Sequence, residues 1–222
     1  MVEISISAFA ADPFHLERDL KAIQQSGADG IHVDVMDGHF VPMFGFHQSL
    51  IRQMIDFDPI CGDIHLMVKM TQPILERFLE ISCRKLTLHV GSVQPAELTA
   101  FLKRISRIGI SLGLAISPGT EPERLRPYLP YLEEVLVMSC TPGTEGAVFE
   151  EQTYERIRII RRLLDREKLE GKIAVDGGLN EERAISCIRS GADRVVIGRA
   201  FFTSEDKKGV VERVRRASAG NL

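Results

Sequence analysis

Eight short apolar runs alternate with amphipathic stretches from one end of this 222-residue chain to the other. The runs are 3–7 (EISIS), 30–35 (GIHVDV), 63–68 (DIHLMV), 85–89 (KLTLH), 111–116 (SLGLAI), 134–138 (EVLVM), 172–176 (KIAVD) and 194–198 (RVVIG). Each has the length and residue types of a strand. The segments 15–25, 95–107, 152–167, 181–190 and 205–216 read as helices; in 95–107, Leu98, Phe101, Leu102 and Ile105 recur at helical spacing. Alternating β and α units, with no break in composition and no linker, predict a parallel sheet. Eight such units in this length predict an α/β fold of one domain over 1–222, a single (β/α)8 TIM barrel, with an open doubly wound sheet as the alternative.

Punctuation supports these boundaries. Ser26-Gly27-Ala28-Asp29 and Ser190-Gly191-Ala192-Asp193 each place a glycine where a helix must close, and glycine accepts the left-handed conformation needed there. Asn180, before Glu181-Glu182-Arg183, is the expected cap of the next helix.

Charge narrows the function. The net charge is −3, with both signs mixed along the chain, which leaves no electrostatic footprint for nucleic acid. An anionic substrate must therefore be held by local groups. No stretch reaches the roughly 18 apolar residues of a membrane span, and no secretory leader is visible. Cys61, Cys83, Cys140 and Cys187 fit no zinc-knuckle spacing. They read as buried thiols in a reducing, cytoplasmic setting.

In a barrel, chemistry gathers where the strands end. The second strand carries His32 and Asp34, two residues apart and so on one face. The third carries His65, the fourth His89, the seventh Asp176 and the first Ser7. Two imidazoles and two carboxylates, His32, Asp34, His65 and Asp176, make a mixed nitrogen and oxygen set. It suits one divalent ion, zinc foremost, with iron(II), cobalt or manganese also matched. His89 reads equally as a partner of a ligand or as packing. Gly177-Gly178 follows the seventh strand and Gly198 the eighth, where barrels commonly grip phosphate. Pro142-Gly143-Thr144-Glu145-Gly146 after the sixth is a flexible stretch able to close over a ligand.

The run His32-Val-Asp34-Val-Met36-Asp37-Gly38-His39-Phe40-Val41-Pro42 resembles the signature of the ribulose-phosphate 3-epimerase family. So do Asp63-Ile-His65-Leu-Met67-Val68, Val137-Met138-Ser139 and Val175-Asp176-Gly177-Gly178, in order over nearly the whole chain. The resemblance implies a metal-dependent barrel of the ribulose-phosphate-binding type that acts on phosphorylated ketoses. It assigns the metal to His32, Asp34, His65 and Asp176, with Asp34 and Asp176 also the acid/base pair. Ser7, His65, Met36, Met67, Met138, Gly146, Gly177, Gly178 and Gly198 match substrate contacts, the three methionines capping the reacting centre. It also implies a homo-oligomer, a dimer or a hexamer.

Three segments depart from the family pattern. The loop usually reads Pro-Gly-Phe-Gly-Gly-Gln, and here it is Pro142-Gly143-Thr144-Glu145-Gly146-Ala147. A usual Gly-Ser is Gly198-Arg199, and a usual Asn-Ile-Thr-Phe-Gly is Met43-Phe44-Gly45-Phe46-His47. Arg199 has three readings: it binds the substrate phosphate bidentately, it pairs with Glu145, or it is a solvated surface arginine. The metal set is intact and the surroundings of the substrate are altered.

The expected activity is inversion of the carbon next to the ketone through an ene-diolate. A proton leaves one face and another returns on the opposite face, which two carboxyl groups from strands three steps apart can manage. A metal-assisted aldolase or decarboxylase is the rival enzyme, disfavoured because Val33, not a lysine, stands between His32 and Asp34. A barrel that only binds a sugar phosphate is the non-enzymatic rival. No dinucleotide fingerprint follows the first strand.

Overall fold

The computed structural model describes residues 2–219. The chain runs β1 (Glu3–Ser7), α1 (Leu16–Ser26), β2 (Gly30–Met36), α2 (Gln48–Phe57), β3 (Asp63–Met67), α3 (Gln72–Leu79), β4 (Lys85–His89), α4 (Pro95–Ile105) and β5 (Ser111–Ile116). It continues through β6 (Glu134–Met138), α5 (Thr153–Glu167), β7 (Lys172–Asp176), α6 (Glu181–Arg189), β8 (Arg194–Ile197), α7 (Arg199–Phe202) and α8 (Lys207–Ala219). All eight expected strands form, with ends within a residue of the expected bounds.

The eight parallel strands close in sequence order, and β1 pairs with β8 in the register Glu3 to Arg194 through Ile6 to Ile197. That closure excludes the doubly wound alternative. Asn180 Oδ1 accepts from Arg183 N–H at 2.9 Å, and Gly27 and Gly191 take φ of +78° and +113°. The crossover from β5 to β6 forms no α-helix. Pro127 and Pro130 remove backbone donors there, and the chain makes 3-10 turns at Pro122–Leu125 and Leu129–Tyr131.

Alternation along each strand sorts the side chains. Ile4, Ile6, Ile31, Val33, Ile64, Leu66, Leu86 and Leu88 belong to the large core cluster of the outer layer. Their neighbours Ser5, His32, Asp34, Asp63, His65, Thr87 and His89 are buried on the other face, inside the barrel. Half of the interior is apolar, with Ala115, Leu136, Met138 and Ala174 clustered together. The other half is polar, and its lower part is an ion cluster. Arg194 Nε and Nη2 donate to Glu134 Oε2 and Oε1 at 2.9 and 2.6 Å, and Lys85 Nζ reaches Glu134 Oε2 at 2.7 Å. Arg194 Nη1 donates to Ser5 Oγ at 3.1 Å and to Asp63 Oδ2.

Burial pushes the Glu134 carboxyl up, but Arg194 and Lys85 hold it below its ordinary value, so it is a carboxylate. Removing that charge takes the carboxylate from the partly buried Lys85 and leaves the buried Arg194 with Asp63 as its remaining carboxylate. Glu134→Gln is expected to destabilise the fold by about 3 kcal/mol, read as a lower denaturant midpoint at unchanged slope.

The four cysteines are free and buried. Burial pushes Cys61 and Cys187 to about 12, and Cys83 and Cys140 to about 11, so none is a ready thiolate. No helix among the described residues is long and apolar enough to cross a membrane.

Candidate metal centre

Register brings the polar strand ends together. His32 lies opposite Asp63, Asp34 opposite His65, and Met36 opposite Met67 in the β2–β3 pairing, while Met138 lies opposite Asp176 in β6–β7. One donor atom from each of His32, Asp34, His65 and Asp176 falls within 4.8 Å of all the others. His32 Nε2 is 3.2 Å from His65 Nδ1, 3.5 Å from Asp34 Oδ1 and 3.9 Å from Asp176 Oδ2. His65 Nδ1 is 3.1 Å from Asp34 Oδ1 and 4.0 Å from Asp176 Oδ2. The four residues expected from the strand ends thus converge, two nitrogens facing two carboxylate oxygens at the C-terminal mouth of the barrel.

The far nitrogens are engaged as well. His32 Nδ1 is 2.8 Å from Asp63 Oδ2. His65 Nε2 is 2.8 Å from His89 Nε2, and the two rings stack at 4.9 Å and 17°. The two readings of His89 therefore both hold: it touches a candidate ligand and packs on it. Phe40 also lies against it, tilted, with ring centroids 5.0 Å apart.

The two aspartates are electrostatically unequal. Burial raises the Asp34 carboxyl, but His32, then His65, hold it well below the ordinary range, and Ser7 Oγ donates to its Oδ2 at 2.9 Å. Burial and the neighbouring Asp34 charge push Asp176 up. Burial opposes a charge on His32, while Asp63 and Asp34 overcome it and raise its affinity for a proton. A divalent cation at this point would take the place of that proton.

The surrounding residues divide into two groups. Met36, Val41 and Met67 form one buried cluster joined by Phe40 and Met43. Met138 belongs to the apolar interior on the opposite side. The altered segment after β2 folds back on its own strand: Asp37 bridges Phe44, Gly45 N–H donates to Met36 O at 3.1 Å, and Phe46 N–H to Asp34 O at 3.0 Å. A Cβ at Gly45 would sit 2.5 Å from Asp34 O, so only glycine allows this approach.

Gly177 and Gly178 have φ of +113° and +60°, and a Cβ on Gly177 would meet Cys140 Sγ at 2.6 Å. Arg183 Nη1 donates to Gly178 O at 3.0 Å, and its guanidinium lies 5.1 Å from the Phe149 ring centre. Gly198 precedes α7 without a left-handed φ. Arg199 is exposed, and no ion pair joins it to Glu145 among the described residues. Gly146 is exposed at the loop tip.

The "Ribulose-phosphate 3 epimerase family" profile matches residues 3–202. The chain belongs to the ribulose-phosphate 3-epimerase family. The ribulose-phosphate 3-epimerase of Chlamydia muridarum is 32% identical over 215 residues, covering 96% of this chain and 93% of its own. That of Aquifex aeolicus is 30% identical over 209 residues, covering 94% and 93%. A solved structure of 3-hexulose-6-phosphate synthase from Salmonella typhimurium superposes with a TM-score of 0.70 over 99% of this chain and all of that one. At 14% identity, that likeness speaks for the fold alone. As a family member, this chain is an isomerase of the epimerase class.

Residue reasoning missed Asp63, Arg194 and Glu134 as part of this interior. The signal was present: Asp63 stands two positions before His65 and so on its inward face, and Glu134 and Arg194 begin apolar strands. The cavity of about 480 Å³ at the barrel's other end is lined by these strand starts, including Glu3, Lys85, Glu134, Lys172 and Arg194. None of His32, Asp34, His65 and Asp176 lines it, in keeping with chemistry at the C-terminal end of such barrels.

Proposed function

We propose that this enzyme inverts the carbon next to the ketone of a phosphorylated ketose, interconverting ribulose 5-phosphate and xylulose 5-phosphate or a close ketose phosphate. One observation carries the reading: Asp34 on β2 and Asp176 on β7 face one point at the barrel mouth, beside His32 and His65. The donor set fits a divalent ion. It offers two neutral-capable imidazoles, whose other nitrogens are already engaged, and two carboxylates, a chemistry matched by zinc, iron(II), cobalt or manganese. When bound by His32, Asp34, His65 and Asp176, the ion supplies a Lewis acid for the ketone and its neighbouring hydroxyl.

The chain's own groups handle the protons. One aspartate in its ionised form takes the carbon proton from its side of the substrate. The other, protonated, returns a proton to the opposite face, and the pair exchange roles in the reverse direction. Asp34 suits the ionised start because Ser7 and the imidazoles stabilise its charge, and Asp176 suits the protonated one. Met36, Met67 and Met138 line the space around the reacting carbon and keep water away, while Ser7 and His65 contact the sugar. The phosphate lies against the backbone of Gly177, Gly178 and Gly198, with Gly146 in the loop that covers it.

Arg199 is exposed and directly follows Gly198, and its planar fork of donors suits a phosphate there. Arg199→Ser is expected to raise KM for the ketose phosphate about tenfold, with kcat nearly unchanged. An unchanged KM for every substrate removes Arg199 from the pocket.

The test of the reading is a panel of four-, five- and six-carbon ketose phosphates in deuterated water with added divalent metal. Epimer formation with deuterium at the inverted carbon is the expected result. Fragment products point to the aldolase or decarboxylase reading. Thermal stabilisation with no interconversion points to a binding protein.

A further inference from the structure

We infer that Asp63 is a positioning residue that sets which nitrogen of His32 faces the metal, and that Arg194 holds Asp63 in place to do so. The inference rests on the metal reading above and adds to it a support that runs down the inside of the barrel.

A neutral imidazole has one N–H and one lone pair, and whatever its far nitrogen meets settles which is which. His32 is fully buried, so water offers its ring no alternative partner. Its Nδ1 lies 2.8 Å from Asp63 Oδ2. An ionised carboxylate only accepts, so the proton must sit on Nδ1 and the lone pair on Nε2. Nε2 is the nitrogen directed at His65, Asp34 and Asp176. With the opposite tautomer, a proton would point into the cation's place.

Asp63 can do this only as an anion held still. Arg194, buried beside it, forms an ion pair with its Oδ2 and supplies the positive charge that a buried carboxylate needs. Arg194 Nη1 shares the same oxygen, Oδ2, that meets His32. The guanidinium is itself fixed by both oxygens of Glu134 and by Ser5 Oγ. Two cations, Arg194 and Lys85, balance two anions, Asp63 and Glu134, so the cluster is neutral without a charge on His32. Carboxylates that orient a metal-binding histidine typically change metal affinity by about 10- to 100-fold when removed. A plain core ion pair would have no such effect on the metal.

The test compares two variants that disturb the same cluster. Asp63→Asn keeps the shape of the side chain but can donate to Nδ1, which allows the wrong tautomer. Glu134→Gln weakens the cluster from its far side and leaves the Asp63–His32 bond. Zinc affinity, measured against a competing chelator, is expected to fall about 10- to 100-fold in Asp63→Asn and by less than about threefold in Glu134→Gln. Should Asp63→Asn fail to fold, nitrogen NMR of zinc-loaded wild-type protein labelled at histidine still reads the tautomer. The expected spectrum has a protonated Nδ1 and a metal-bound Nε2 on His32. Equal zinc affinity in Asp63→Asn and wild type, equal losses in both variants, or a His32 bound through Nδ1 overturns the inference alone. Wild-type protein that binds no zinc, iron(II), cobalt or manganese overturns the metal reading, and this inference with it.

Discussion

Asp176→Asn, assayed at saturating metal, lowers kcat for epimerisation by about a thousandfold, the range expected when one member of a general acid–base pair is lost. The amide has nearly the shape of the carboxyl but neither takes nor delivers a proton. Asp176 stands outside the Arg194–Glu134–Asp63 cluster, so the barrel remains folded, as circular dichroism and the melting temperature will show. A second readout separates proton chemistry from general damage. Asp34 is still present in the variant, so one epimer exchanges its carbon proton with deuterated water on one face and is not inverted. Asp34→Asn gives the mirror result with the other epimer. An Asp176→Asn protein that keeps substantial epimerase activity sinks the two-aspartate mechanism.

Removal of the metal has an effect of similar size. A Lewis acid at a developing oxyanion contributes several kcal/mol, and about 4 kcal/mol corresponds to about a thousandfold in rate. Protein dialysed against a strong chelator is therefore expected to lose activity to about that extent. Addition of zinc, iron(II), cobalt or manganese should restore it at about one ion per chain. The chelated protein should also melt lower, because His32, Asp34, His65 and Asp176 bring their charges and lone pairs together inside a buried space. Metal-free protein working at the full rate would remove the Lewis acid from the mechanism.

Glu134→Gln is informative beside these two variants because it costs stability without touching the donor set. The barrel can thus lose several kcal/mol at its N-terminal end while the chemistry at the other end is intact. Separating the two ends is what allows Asp63, which belongs to both, to be tested as a link between them.

The bounds of the eight strands were readable in the residues because period-two alternation is local: Ile31, Val33 and Val35 must face the helices, and that leaves His32 and Asp34 inside. The candidate donors followed from the same phase. The crossover after β5 was less readable, since Leu125, Tyr128 and Leu129 carry apolar weight but the prolines among them prevent a helix. Arg199 illustrates a different limit: its identity was plain, but its partner was not, and it is exposed and makes no ion pair with Glu145 among the described residues.

What the chain's own order of residues carried was therefore the rhythm of the barrel, the inward phase of each strand and the kinds of atoms at the mouth. What had to await the folded molecule was contact over long separations. β1 meets β8, and Arg194 reaches Ser5 across 189 positions and Asp63 across 131. The reason is physical. Alternation is imposed by neighbouring peptide units, whereas the bond from Asp63 to His32 exists only once barrel closure has set strand register and excluded the water that would otherwise compete for both groups.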